Sequence, residues 1–204
     1  MFYSTRSALL LILFAALAGG CGEDPRQSRV TRSGFLGDYS QLAPGRQGQA
    51  RLIYINPEAD FSLYDKIVID PVTIWDAERS APMASPSPDR RRMAERFEAA
   101  LRRQLGREFG LVDAAKPGTL RIRMAITRVE ATQVGIECEI LDVTSGIRLV
   151  GAVDERTTTP IGGGGEAEAL DGAFDRWADI IRMRLVAFRN FDSAQQAKDQ
   201  PSGP

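Results

Sequence analysis

Thr119 to Asp154, TLRIRMAITRVEATQVGIECEILDVTSGIRLVGAVD, is the stretch whose reading decides the fold. Leu120, Ile122, Met124 and Ile126 alternate with Arg121, Arg123, Ala125 and Thr127. Val134, Ile136, Cys138 and Ile140 alternate with Gly135, Glu137, Glu139 and Leu141. Ile147, Leu149, Gly151 and Val153 alternate with Arg148, Val150, Ala152 and Asp154. A period of two puts one face on a core and one on water, the pattern of antiparallel sheet. Thr144-Ser145-Gly146 supplies a hairpin turn. On this reading Glu137, Glu139, Asp154 and Glu155 form a solvated face. The competing reading is chemical, since paired carboxylates do acid–base work or hold calcium. Cys138, between Ile136 and Ile140, is expected to be a buried packing residue. As a nucleophile it would need exposure and an activating base.

Outward from this block the signals change to a helical period. Ser87-Pro88 is a helix start, with a capping hydroxyl followed by a residue that lacks an N–H to lose. Met93, Phe97, Leu101, Leu105 and Phe109 recur every fourth residue opposite an arginine-rich face, and Gly110 is the expected C-cap. A second helix is expected from about Glu166 to Arg189, with Leu170, Phe174, Trp177, Ile181, Leu185 and Phe188 on one side. Trp75 and Trp177 read as core or groove residues. Before the first helix, Leu52 to Ile55 and Lys66 to Val72 read as short strands, the second limited by Pro71. Together these elements predict an α+β fold: a mainly antiparallel sheet of about five strands with two long helices on one face.

The organisation expected is a single α+β domain over residues 50–190, a disordered polar tail over 191–204, and a different kind of sequence before residue 50. Arg6 followed by the apolar run Ala8 to Leu17 and the small residues Ala18, Gly19 and Gly20 has the three parts of an export signal. From Ala8 to Gly20 the run has 13 residues, short of the roughly 20 needed to span a bilayer. Leu17-Ala18-Gly19-Gly20-Cys21 resembles the bacterial lipobox, with Ala18 where the pattern prefers leucine. The resemblance implies removal of residues 1–20 and lipidation of Cys21, a membrane anchor held by two or more acyl chains. Gly22 in place of aspartate implies, by the same resemblance, sorting to the outer membrane, facing the periplasm. Residues 21–49 then form a lipidated N-terminus and tether. Its 28 residues from Gly22 span roughly 30 Å as a coil and about 90 Å at full stretch. Arg26, Arg29 and Arg32 read as tether solvation first and headgroup contacts second.

Within the tether, Ser33-Gly34-Phe35-Leu36-Gly37-Asp38-Tyr39-Ser40-Gln41-Leu42 resembles the opening signature of an uncharacterised bacterial lipoprotein family, domain of unknown function 3313. Tyr64 to Trp75 (YDKIVIDPVTIW) is similar to the same family. So is Glu137 to Arg156, with Leu141-Asp142 ahead of its turn. The resemblance runs from about Ser33 to Arg189 and implies a lipoprotein on the periplasmic side of the envelope. It brings no substrate, reaction or catalytic residue. Physically, Gly34 and Gly37 permit sharp turns and Phe35, Leu36, Tyr39 and Leu42 are anchors. This stretch is expected to dock on the domain as a strap, as a lid over core in the first reading and as a partner-binding element in the second.

The composition limits the chemistry further. The 204 residues are 43% hydrophobic and 26% charged, suited to a globular domain. Cutting before Cys21 leaves 25 basic against 27 acidic residues, which gives no electrostatic reason to expect nucleic acid. There is no histidine, so the commonest general base and metal ligand are missing. Cys21 and Cys138 are the two cysteines, too few for a zinc site built on thiolates. The glycine run Gly162 to Gly165 before the second helix lacks the Lys-Ser/Thr of a phosphate loop, having Glu166-Ala167 instead. No catalytic residue, metal or cofactor is therefore expected. The leading expectation is a non-catalytic binding or assembly module whose partners are the membrane, through Cys21, and an envelope protein or glycan. The alternatives are an accessory or carrier subunit of lipid or solute transport, which needs an apolar cavity between sheet and helices, and an enzyme that works without histidine.

Overall fold

The alternating block folds as a meander of three long strands. Their placement follows from a computed structural model that describes residues 30–114, 116–130, 132–158 and 165–199. The export signal, Cys21 and the glycines 162–164 lie outside the described residues. In chain order the elements are β1 (Ala43–Pro44), β2 (Leu52–Ile55), a single 3₁₀ turn (Phe61–Leu63), β3 (Lys66–Ile69), β4 (Thr73–Asp76), β5 (Ala81–Pro82) and α1 (Pro88–Leu105). Then come β6 (Gly110–Leu111), β7 (Thr119–Glu130), β8 (Gln133–Asp142), β9 (Arg148–Thr157) and α2 (Glu166–Asp199). The main sheet path is β1-β2-β9-β8-β7-β3-β6, and β4 pairs with both β5 and β7.

The α+β class holds, but the sheet is mixed and has nine strands among the described residues instead of about five antiparallel ones. Three of the additional strands, β1, β5 and β6, are two residues long, too short for any periodicity to register. The parallel component comes from β3 and β4, which both run parallel to β7. The chain leaves β3–β4, crosses over through α1 and returns as β7, the geometry a crossover helix imposes. The expected single strand Lys66 to Val72 is broken. Asp70 donates its N–H to Ile122 O and the chain leaves the ladder at Pro71, which has none to donate, before β4 rejoins β7 further along.

Two bulges correct the alternation. Between Ile140 and Leu141 the register with β9 shifts, so Leu149 and Val150 both lie in the core under the helices. Beyond that point Val150, Ala152 and Asp154 face the helices, whereas Gly151 and Val153 face the other way, the reverse of simple alternation from Leu149. A similar shift lies between Ile126 and Arg128 on β7.

α1 begins as its sequence dictates, with Ser87 Oγ accepting from the Arg90 N–H and Pro88 at the first position. It ends one turn earlier than expected. Gly106 caps it, and Gly110 belongs to β6. Phe109 stays buried because one further turn, Phe109 N–H to Leu105 O, carries it back onto the core. α2 runs on to Asp199, through residues expected to form a disordered tail. Its final turns have partners: Asp192 accepts from the Phe61 N–H at 2.7 Å, and Gln196 bonds Asp60 and Ser62. Of the polar residues there, Asp192 and Gln196 hold the 3₁₀ turn.

Both helices pack on one sheet face. Phe97 stacks on Phe174 with centroids 4.5 Å apart, and Phe97, Leu101, Leu105, Ile67 and Ile122 are completely excluded from water. A second, smaller core lies on the opposite face, where Phe35, Leu36 and Leu42 cover Leu52, Ala125 and Val153.

Candidate functional site

The opposite face is where sequence reading and structure part most sharply. Glu137 and Glu139, expected on a solvated face, are 0% and 5% exposed. The alternation assigned them to the correct side of the strand, but the strap closes over that side. The strap's conformation follows from its glycines: Gly34 and Gly37 have φ of +91° and +69°, the region where a side chain is strained. Those turns bring Ser33 and Tyr39 to the same carboxylate. The Ser33 N–H donates to Glu137 Oε1 at 2.7 Å and the Tyr39 hydroxyl donates to Glu137 Oε2 at 2.6 Å. The Gly34 N–H donates to the Tyr39 oxygen in turn, and the Trp75 indole donates to Ser33 O at 3.0 Å while its ring and that of Phe35 meet edge to face.

Glu139 is held by two arginines. Arg123 Nη1 lies 2.6 Å from Oε2 and Arg148 Nε 2.8 Å from Oε1. Arg148 also reaches the strap directly, donating to Leu36 O and Asp38 O at 2.7 Å each. Arg123 lies over the Phe35 ring. Every carboxylate oxygen of the two glutamates is thus occupied by a donor. Burial, joined by the neighbouring Glu137 carboxylate, pushes the Tyr39 phenol up to about 12. This arrangement holds a chain segment in place. The alternation puts Arg123 and Arg148 on the glutamate side, where like-face arginines and glutamates can pair across strands; the structure shows that pairing, with Glu139 buried instead of exposed.

The helix-facing side offers a different surface. A mostly apolar cavity of about 90 Å³ lies between α2 and strands β2, β8 and β9, lined among others by Ile53, Ile55, Cys138, Ala152, Ile181 and Leu185. This is a cavity of the kind that the transport alternative requires. Cys138 sits in its wall, and burial, with the charge of Glu139 as a smaller contribution, pushes the thiol up to about 12, so it is a protonated packing group at neutral pH. Asp154, also expected on the solvated face, lies on this side of the bulge and accepts from the Trp177 indole at 2.7 Å. Glu155 stays half-buried beside Arg128.

Among the described residues no cluster of three His, Cys, Asp or Glu groups is placed as metal ligands would be. Among them, too, no helix is long and apolar enough to cross a membrane. Arg32, the described member of the tether arginines, lies over the Tyr39 ring.

A two-layer α+β domain whose second sheet face is closed by its own N-terminal strap is the class these features define. The chain belongs to the family described as protein of unknown function (DUF3313), whose model matches residues 31–135, the strap through the start of β8. Solved structures with a similar course include the PelC dodecamer from Paraburkholderia phytofirmans, at 14% identity and a TM-score of 0.41 over 64% of this chain and 94% of that one. A minor lipoprotein from Acinetobacter baumannii matches at 15% identity and a TM-score of 0.37, covering 62% and 96%. Lipoprotein GNA1162 from Neisseria meningitidis matches at 10% identity and a TM-score of 0.34, covering 56% and 97%. No curated protein matches the chain. The family carries no assigned activity.

Proposed function

We propose that this protein is an envelope lipoprotein, lipidated at Cys21 and held on the periplasmic side of the outer membrane, whose domain acts by binding and assembly and performs no catalysis. The observation that carries the reading is the Ala8 to Cys21 sequence, an apolar export run ending in small residues and a cysteine. The docked strap adds a geometric constraint. With the chain pinned at Ser33, only 12 residue steps separate the body from Cys21, a reach of at most about 40 Å, well below the 90 Å of an unpinned tether. The domain would then work close to its own bilayer. Buried carboxylates engaged in holding the strap, a protonated buried thiol and the lack of histidine fit a binding role better than a chemical one. The test is intact-mass analysis of the protein isolated from membranes of a host that processes lipoproteins. The expected result is a chain starting at Cys21 with added acyl mass, and a Cys21→Ala variant that leaves the membrane fraction. A bare Cys21 thiol, or residues 1–20 retained, would overturn the reading.

A second reading, an accessory subunit that handles a lipid or similar amphiphile, is favoured by one observation, the apolar cavity beneath α2.

A further inference from the structure

The cavity has a cause in the width of the sheet. A helix about 10 Å across covers roughly two strands spaced about 4.8 Å apart. Two helices therefore cover about four strands, and seven lie along the main path here. α1 sits over β3 and β4 and α2 packs beside it. β2, near the far edge, presents Ile53 and Ile55 to the helix side, paired with Ala152 and Val150 of β9, and neither isoleucine is fully covered. The small side chains of Cys138 and Ala152 deepen the slot that this overhang creates.

The rim of the slot is cationic. Arg184 of α2 donates to the backbone carbonyl of Gly48 at 3.2 Å and, among the described residues, faces no carboxylate within ion-pair distance. Arg156 of β9 stacks over Trp177, and its buried Nε has no hydrogen-bond partner among the described residues. Asp154 is the acidic group lining the slot. It lies 3.4 Å from Arg156 Nε, and its oxygens already accept from the Trp177 indole and the Arg51 N–H. Two guanidinium groups against one carboxylate leave a positive charge beside an apolar opening. At about 90 Å³ the slot is smaller than the roughly 150 Å³ apolar cavity known to hold a benzene ring, so its size suits a few methylenes over a ring system.

We propose that this slot binds a single-chain anionic amphiphile, with the first methylenes of an acyl chain between α2 and β2–β9–β8 and its acidic head on Arg184 and Arg156. The proposal deepens the second reading above and is independent of lipid on Cys21. It predicts that affinity rises roughly fourfold for each methylene the slot accepts, then flattens once the chain outgrows it. Removing the Arg184 charge weakens binding of the anion by about tenfold.

The experiment uses the chain from residue 21 onward with Cys21→Ser, which leaves Cys138 as its one thiol and removes the lipidation site. Hexanoate, octanoate, decanoate and dodecanoate are titrated calorimetrically below their aggregation concentrations, beside dodecanol and dodecyltrimethylammonium. The expected result is tightening with chain length that then levels off, preference for the carboxylate over the ammonium, and loss of the charge preference in Arg184→Ala. Ala152→Leu, which fills the slot, abolishes the chain-length dependence. Equal binding of dodecanoate and dodecyltrimethylammonium overturns the proposal. So does a chain-length dependence that survives in Ala152→Leu, or an affinity indifferent to Arg184→Ala in a variant whose thermal transition matches the parent. Such a failure leaves the lipid on Cys21 untouched, because intact-mass analysis reads that separately.

Discussion

The two faces of the sheet are covered by different physics. The helix face is closed by apolar contact: Phe97, Phe174, Leu101 and Ile122 meet with almost no water left between them. The strap face is closed by a thin segment whose few apolar anchors, Phe35, Leu36 and Leu42, are supplemented by two buried carboxylates and two arginines. Apolar burial is tolerant of direction and scales with area. A network of charged hydrogen bonds is directional and fails when one member is removed. The helix face should therefore set global stability, and the strap face should open locally while the rest stays folded.

The largest expected effect is on the helix face. Phe97→Ala removes a fully buried ring stacked on Phe174 and should cost about 4 kcal/mol in chemical denaturation. If the loss is under about 1 kcal/mol, the helix face is not the stability-determining one. Arg148→Ala should come next. It frees one oxygen of buried Glu139 and two strap carbonyls, a loss of about 3 kcal/mol. Hydrogen exchange should accelerate through residues 33–42 while amides of α1 keep their protection; uniform acceleration would erase the contrast between the faces. Gly34→Ala is expected to cost about 2 kcal/mol, because φ is +91° and an added Cβ would lie 2.6 Å from Ser80 Oγ. Proteolysis within the strap is the readout, and unchanged cleavage would mean the strap is held without that turn.

The smallest effect is a pH dependence. Tyr39 titrates at about 12 in the folded protein, first because of burial and then because of Glu137, against about 10 when unfolded. A raised folded value means that its contribution is complete below the unfolded pKa and is lost as pH rises through the folded one. Between pH about 10 and 12 the strap should loosen, followed by tyrosinate absorbance and by the fluorescence of Trp75. Tyr39→Phe should remove this alkaline component at a cost of about 1 kcal/mol. A persistent transition in that variant would assign it to Tyr64, whose phenol is likewise pushed up to about 12 by burial and Asp142.

Several of these features were legible in the residues. Ser87-Pro88 marked the start of α1, the three alternating runs marked β7, β8 and β9, and the site of Cys138 in an apolar run marked it as packing. Alternation states which side of a strand a residue occupies, and it says nothing about what covers that side. That is why Glu137 and Glu139 read as solvated. Their cover comes from a segment about 100 residues earlier in the chain. Strands of two residues have no period, and parallel pairing depends on where a crossover lands, so the mixed sheet could not be read locally. The groove was hidden for a similar reason: its walls come from β2, β8, β9 and α2, which are distant in sequence.

The bulge at Leu149 has a consequence for how β9 tolerates change. One supernumerary residue lets Arg148 point toward the strap and both Leu149 and Val150 point toward the helices. The strand behaves as a splice between two reading phases. Lengthening or shortening it on one side of that joint would swap the surfaces seen by Val153 and Asp154, burying a charge under the strap and offering a valine to Trp177. Point substitutions at the joint should be far milder than a single-residue shift.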